Sequence, residues 1–152
     1  MGIRTADNNT RYVSPMAVLV RRAIVDASNP IAALTRLVTK DAGTIPGLTD
    51  IAATLIREAL QVAAADGSDL RGEVDPEAMV RPAGGRTPGK SSMLQDVEAG
   101  RPVEAEAILG QVQAFGRDYG VATPTIDIVC ALLRGLDLSI RLARGEAPAK
   151  AG

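Results

Sequence analysis

Apolar residues recur along this chain at helical spacing, separated by short polar or glycine-rich breaks. From Met16 to Ser28, the residues Val18, Leu19, Ala23, Ile24 and Ala27 alternate with Arg21, Arg22 and Asp26, which predicts an amphipathic helix. Asn29-Pro30 interrupts it, and Pro30 suits the first position of a second helix running through Val38. The stretch Asp41–Gly47 is rich in turn formers. Thr49 or Asp50 can then cap a third helix that runs to about Asp66 and stops at Gly67, with Ile51, Leu55, Ala59, Val62 and Ala63 on one stripe. Residues 68–90 are irregular, with one helical turn after Pro76. Ser91 or Ser92 caps a short helix that Gly100 ends, and Pro102 prevents its continuation. A fifth helix spans Glu104 to Tyr119, with Ala107, Ile108, Val112 and Phe115 inward. Thr123 caps the last one, which begins at Pro124 and carries Ile126, Ile128, Val129, Leu132, Leu133, Leu136 and Ile140. Apolar residues lie on more than one side of it, which marks it as a buried or pairing element.

No strand-type alternation and no internal repeat occurs. The fold class is therefore all-α, a single helical domain of about six helices over residues 16–145. Residues 1–15 form a loose leader and 146–152 a frayed tail.

Composition narrows the chemistry. Hydrophobic residues make up 46% of the 152 residues and aromatic ones only 2%, so the core is built from Ala, Val, Leu and Ile. The net charge is −1 with both signs dispersed, which gives no footprint for nucleic acid or an anionic membrane. No apolar run reaches the roughly 18 residues of a membrane span, and no signal-peptide core opens the chain, so a cytoplasmic location is expected. The chain has no His and a single Cys, Cys130, which argues against a zinc site. Cys130 falls in an apolar helical run and reads as a small core residue. There is no G-x-G-x-x-G after a strand. The Gly84–Lys90 stretch has the wrong spacing for a phosphate loop, and Pro88 removes a donor there.

The run Ser91-Ser92-Met93-Leu94-Gln95-Asp96, followed by Arg101 and Glu104, carries the strongest functional signal. On residues alone it is two capped helices meeting at a tight corner, a geometry that can also hold a polar ligand. The run resembles the C-terminal domain of the ketopantoate reductase family. The resemblance extends through Gly116, Gly120 and Val121-Ala122-Thr123-Pro124, and back to Asn29-Pro30-Ile31-Ala32-Ala33-Leu34, covering roughly residues 17–140. It implies a helical domain like those of 6-phosphogluconate-dehydrogenase-type reductases, which closes over a 2-oxo acid beside a separate NADPH-binding domain. It also implies site residues. The family's catalytic Lys falls on Arg21, its first Asn on Val25, and a loop Asn on Thr39. A second Asn matches Asn29, the substrate-contacting Ser matches Ser92, and the cofactor-side Glu matches Glu104. Positions 21, 25 and 29 would share one helix face, one turn apart. Asn29, Ser92 and Glu104 are then expected in one cleft. Arg21 can stabilise an oxyanion but hardly release a proton, and Val25 forms no hydrogen bond. The resemblance thus implies the substrate-side domain of a 2-oxo acid reductase, inactive alone. It would use NADP only when a nucleotide-binding domain is supplied, with that separate chain or a second copy as partner. The alternative is a non-catalytic helical interaction module.

Overall fold

The computed structural model describes residues 14–81, 89–104 and 106–148. Most of the expected leader and the end of the expected tail lie outside these residues. Among the described residues, eight helices follow one another: α1 (Pro15–Val25), α2 (Asn29–Thr35), α3 (Thr39–Ala42), α4 (Pro46–Ala65), α5 (Pro76–Val80), α6 (Ser92–Glu98), α7 (Leu109–Asp118) and α8 (Pro124–Ala143). No strand occurs among the described residues, and the fold is all-α. The count exceeds six because two short helices stand where the sequence reads as connector. One is α3, a single turn. The other is α5, opened by Asp75, whose carboxylate accepts from the Glu77 and Ala78 N–H groups. No helix is long and apolar enough to cross a membrane among the described residues.

Proline stands in the first turn of five of these eight helices, as first residue at Pro15, Pro46, Pro76 and Pro124 and as second at Pro30. Its missing N–H has no intrahelical partner at that position anyway. The far ends are set less locally. α1 stops at Val25 rather than Ser28, and residues 26–28 form a turn. α2 stops at Thr35 rather than Val38 because Arg36 turns left-handed (φ 59°) while the Thr35 hydroxyl donates back to the Ile31 carbonyl.

α4 is the central element and packs against α1, α5, α7 and α8. Its Leu55, Ile56, Ala59 and Val62 are buried with Val20 of α1, Val112 of α7 and Ile126, Cys130 and Leu133 of α8. Gly116 lets the connector after α7 fold back against that helix: a Cβ there would lie 3.0 Å from Thr123 Cγ2 and 3.1 Å from the Val121 carbonyl oxygen. α7 turns Leu109, Val112 and Gln113 inward. Ala107 and Phe115, expected inward, are exposed, and Ile108 is half-buried. Ile51 at the start of α4 is exposed as well.

Among the described residues, one charged side chain is buried in this core. Glu58, in the middle of α4, is buried, and its carboxylate accepts from the N–H groups of Thr125 (2.9 Å) and Ile126 (2.8 Å) at the start of α8. A carboxylate is well placed there, against unpaired N–H groups and the positive end of the helix dipole. Thr123 therefore does not cap α8. Glu58 holds the donors, and the Thr123 hydroxyl bonds Asp127 Oδ1 at 3.2 Å. Burial also pushes the Cys130 thiol above its usual range.

Replacing Glu58 by Ala leaves two buried N–H groups without a partner, and should cost about 2–3 kcal/mol of stability, measured by denaturant unfolding. Glu58→Gln, which keeps one acceptor, should cost less. Cys130 has little thiolate at neutral pH, so iodoacetamide should label it at the rate set by unfolding, and addition of denaturant should speed labelling sharply.

Candidate functional site

α1, α2, α6 and the strand-like corner after α6 surround a cavity of about 270 Å³. The corner begins where α6 ends. Gly100 is left-handed (φ 65°), its N–H donates to the Val97 carbonyl, and the Arg101 N–H donates to the Asp96 carbonyl at 2.8 Å. Such a reversal satisfies the last carbonyls of a helix and suits glycine. Residues 101–104 then run without helical structure. The Val103 side chain is buried, and its N–H donates to Asp137 Oδ1 of α8 at 2.8 Å. Glu104 lies outside a helix, and α7 begins only at Leu109 instead of Glu104.

At the other end of α6, the two serines divide the work. Ser91 is the cap, its hydroxyl accepting from the Leu94 N–H at 3.2 Å. Ser92 is the first helical residue and lines the cavity. Asn29, the first residue of α2, lines it too, as does Glu104. Three separate elements thus bring Asn29, Ser92 and Glu104 to one cleft. Met93, Leu109 and Leu133 add apolar wall.

Arg21 lies elsewhere. Its guanidinium pairs with Glu73 at 2.8 Å, with both side chains at least half exposed. Val25 is exposed and borders a shallow apolar depression with Pro15, Val18 and Leu19. Thr39 opens α3 and lines a different, small cavity.

The cation on the cleft is Arg22, and Asp26 lies beside it, its Oδ2 2.6 Å from Arg22 Nε. Arg22 of α1 and Asp26, just past its end, occupy one flank of the buried Val20 and Ala23, while Arg21 and Val25 occupy the other. The family resemblance points to Arg21 and does not single out Arg22 or Asp26. The turn at 26–28 reorients Asn29 relative to α1. The signal available was Arg22, Asp26 and Asn29 at i, i+4 and i+7, a helical face in its own right.

The cleft's charge is largely internally balanced. Asp26 is paired with Arg22, and Asp96 with Arg101 at 2.9 Å. Glu104 makes no ion pair among the described residues. Beside the cleft, Arg134 on α8 binds Glu106 and holds that carboxyl below its ordinary range. The same guanidinium donates to Gln113 Oε1 at 3.0 Å, and Gln113 donates to Asp127 Oδ1 at 2.7 Å, tying α7 along α8.

A profile described as ketopantoate reductase PanE/ApbA C terminal matches residues 16–137. The chain belongs to this family. The 2-dehydropantoate 2-reductase of Mesorhizobium japonicum is 38% identical over 108 residues, covering 71% of this chain and 32% of that protein. That of Caulobacter vibrioides is 33% identical over 115 residues, covering 74% of this chain and 39% of its own. The chain thus spans little more than a third of the length of these relatives. Among solved structures, the 2-dehydropantoate 2-reductase from Methylococcus capsulatus superposes with a TM-score of 0.66 at 30% identity, over 82% of this chain and 43% of that one. D-mandelate dehydrogenase with NADH and anilino(oxo)acetate superposes with a TM-score of 0.71 at 22% identity, over 84% and 43%, a likeness of fold. The family match includes α1, α2, α6 and the corner, so every residue of the cleft lies within it.

The serine pair offers a direct check on the cleft. Ser91→Ala should lower stability by about 1 kcal/mol through loss of the cap. Ser92→Ala should change it by less than about 0.5 kcal/mol. Equal losses in thermal or denaturant unfolding would mean that Ser92 is structural after all.

Proposed function

We propose that this domain is the substrate-side wall of a ketopantoate-reductase-type, NADPH-dependent 2-oxo acid reductase, acting beside a dinucleotide-binding domain. The convergence of Asn29, Ser92 and Glu104 on one cleft carries this reading. The reaction adds a hydride to the carbonyl carbon of the 2-oxo acid and a proton to its oxygen, and NADPH, when bound, supplies the hydride. The roles of this chain's residues follow from their chemistry. Arg22 pairs with the substrate carboxylate, since a guanidinium matches a carboxylate through two parallel N–H groups. The Asn29 amide and Ser92 hydroxyl donate to oxygens of the bound acid. Glu104, at the open side, accepts from hydroxyl groups of substrate or cofactor. Arg21 is held by Glu73 on the other flank of α1, so Arg22 replaces it as the working cation. Arginine stays protonated at ordinary pH, so it binds and polarises the acid without releasing a proton. The domain therefore needs its companion for chemistry. Among the described residues no strand leads into a glycine-rich turn that could take a pyrophosphate. The exposed Val18 and Val25 face, next to Arg22, is the side on which that companion would dock. A cytoplasmic location goes with this reading.

The test is an NMR titration of the isotope-labelled chain with millimolar 3-methyl-2-oxobutanoate. Amides of Asn29 and of 92–96 should shift, and the response should weaken at least tenfold in Arg22→Gln or in Asn29→Ala combined with Ser92→Ala. Arg21→Gln should respond like the parent. NADPH should leave the spectrum of the lone chain unchanged. A spectrum in which 3-methyl-2-oxobutanoate moves no cleft amide would sink this reading.

A further inference from the structure

Where α2, α6 and α8 end, an open depression of about 560 Å³ is lined by three arginines. Arg36 follows α2, Arg101 comes after α6 and Arg144 follows α8. The floor between them is apolar, with Val97 and Ile140 buried, and Ser139 adds a hydroxyl. No acidic side chain lines this depression, whereas the cleft carries Asp26, Asp96 and Glu104 around its one arginine.

A cation past a helix end can simply meet the last carbonyls of its own helix. The bonds here go elsewhere. Arg101 pairs with Asp96 at 2.9 Å. Arg144 pairs with Glu146 at 3.3 Å and donates to the Gly100 carbonyl, beyond a different helix, at 3.4 Å. Arg36 makes no ion pair and donates no side-chain hydrogen bond among the described residues.

Arg36 is also held at a cost. Among the described residues, five have a left-handed backbone, and four of them are glycines just past a helix: Gly67, Gly100, Gly120 and Gly145. The fifth is Arg36, at φ 59°. A Cβ crowds the backbone in that conformation, and glycine avoids the crowding. The one helix end that keeps a side chain there carries a guanidinium with no partner, facing the same depression as two others. Side chains kept at such a cost tend to serve a ligand.

We propose that this depression binds the phosphate group of a small organic phosphate. A guanidinium presents parallel N–H groups that match phosphate oxygens. Arg36 brings the charge that no carboxylate offsets, and Arg101 and Arg144 add further N–H groups. The depression is much larger than a phosphate ion, and Val97 and Ile140 offer the rest of the molecule an apolar surface. None of its lining residues lines the cleft, so the proposal stands apart from the 2-oxo acid reading.

The test titrates phenyl phosphate into the isotope-labelled chain at constant ionic strength, with amide shifts read by NMR. Amides of 36–37, 99–101 and 143–145 should shift and saturate. Inorganic phosphate should bind several-fold more weakly, because it has no ring to lay on the apolar floor. Benzoate, with a single negative charge, should bind about tenfold more weakly or worse. Arg36→Gly should weaken phenyl phosphate by about tenfold or more, yet raise the thermal unfolding midpoint by about 2–4 °C, since glycine relieves the left-handed turn. Arg144→Gln should weaken binding as well. Arg71→Gln removes the same charge from an exposed loop and should leave the affinity unchanged. Shifts that never saturate, benzoate or inorganic phosphate binding as tightly as phenyl phosphate, or full affinity in Arg36→Gly would each overturn the proposal. So would a lower unfolding midpoint in Arg36→Gly, which would make Arg36 a structural residue.

Discussion

The carboxylate of Glu58 fixes where α8 begins, and much of the molecule is hung on α8. It reaches out of the central helix and takes the two leading N–H groups of the last one. With that end fixed, Leu133 forms part of the cleft wall, Asp137 holds the Val103 N–H, and Arg134 gathers Glu106 and Gln113. A buried charge is costly unless it is well bonded. Here the bonding partners are backbone groups that would themselves be unsatisfied, so each compensates for the other.

The cleft is built from chain ends rather than from helix middles. Asn29 and Ser92 are each the first residue of a helix, and Glu104 stands just past a reversed corner. Backbone geometry at such positions is set by caps and by distant anchors, here Ser91, Gly100 and Asp137. Polar side chains that have no structural duty remain available. The adjacent serines illustrate this: Ser91 is consumed as a cap and Ser92 is left facing the cavity.

Much of this was legible in the chain itself. The helical period of the apolar residues marks α1, α4, α6 and α8, and Pro30, Pro124, Gly100 and Gly120 mark where segments begin or stop. The all-α class follows from these alone. Boundaries that depend on distant contacts were not legible. Nothing near Glu104 announces that Asp137, more than thirty residues later, will bond the neighbouring Val103 N–H. Nothing about Thr123 reveals that Glu58 already occupies the donors it would cap. Asn29, Ser92 and Glu104 line one cavity with Arg22, while Arg21 pairs with Glu73 away from it; which flank of α1 meets the cavity depends on packing that residue spacing does not carry.

The five first-turn prolines act on a state with no contacts at all. Each has a ring that already holds the backbone angle its helix requires. The freedom that folding would otherwise remove is therefore absent from the denatured chain. At compatible sites this restriction is worth about 0.4–1 kcal/mol per residue. Five together are comparable with a sizeable part of the 5–15 kcal/mol that holds an ordinary domain folded. A core with almost no aromatic side chains is thus assisted by rigidity distributed along the unfolded polymer, where no inspection of packed neighbours would find it.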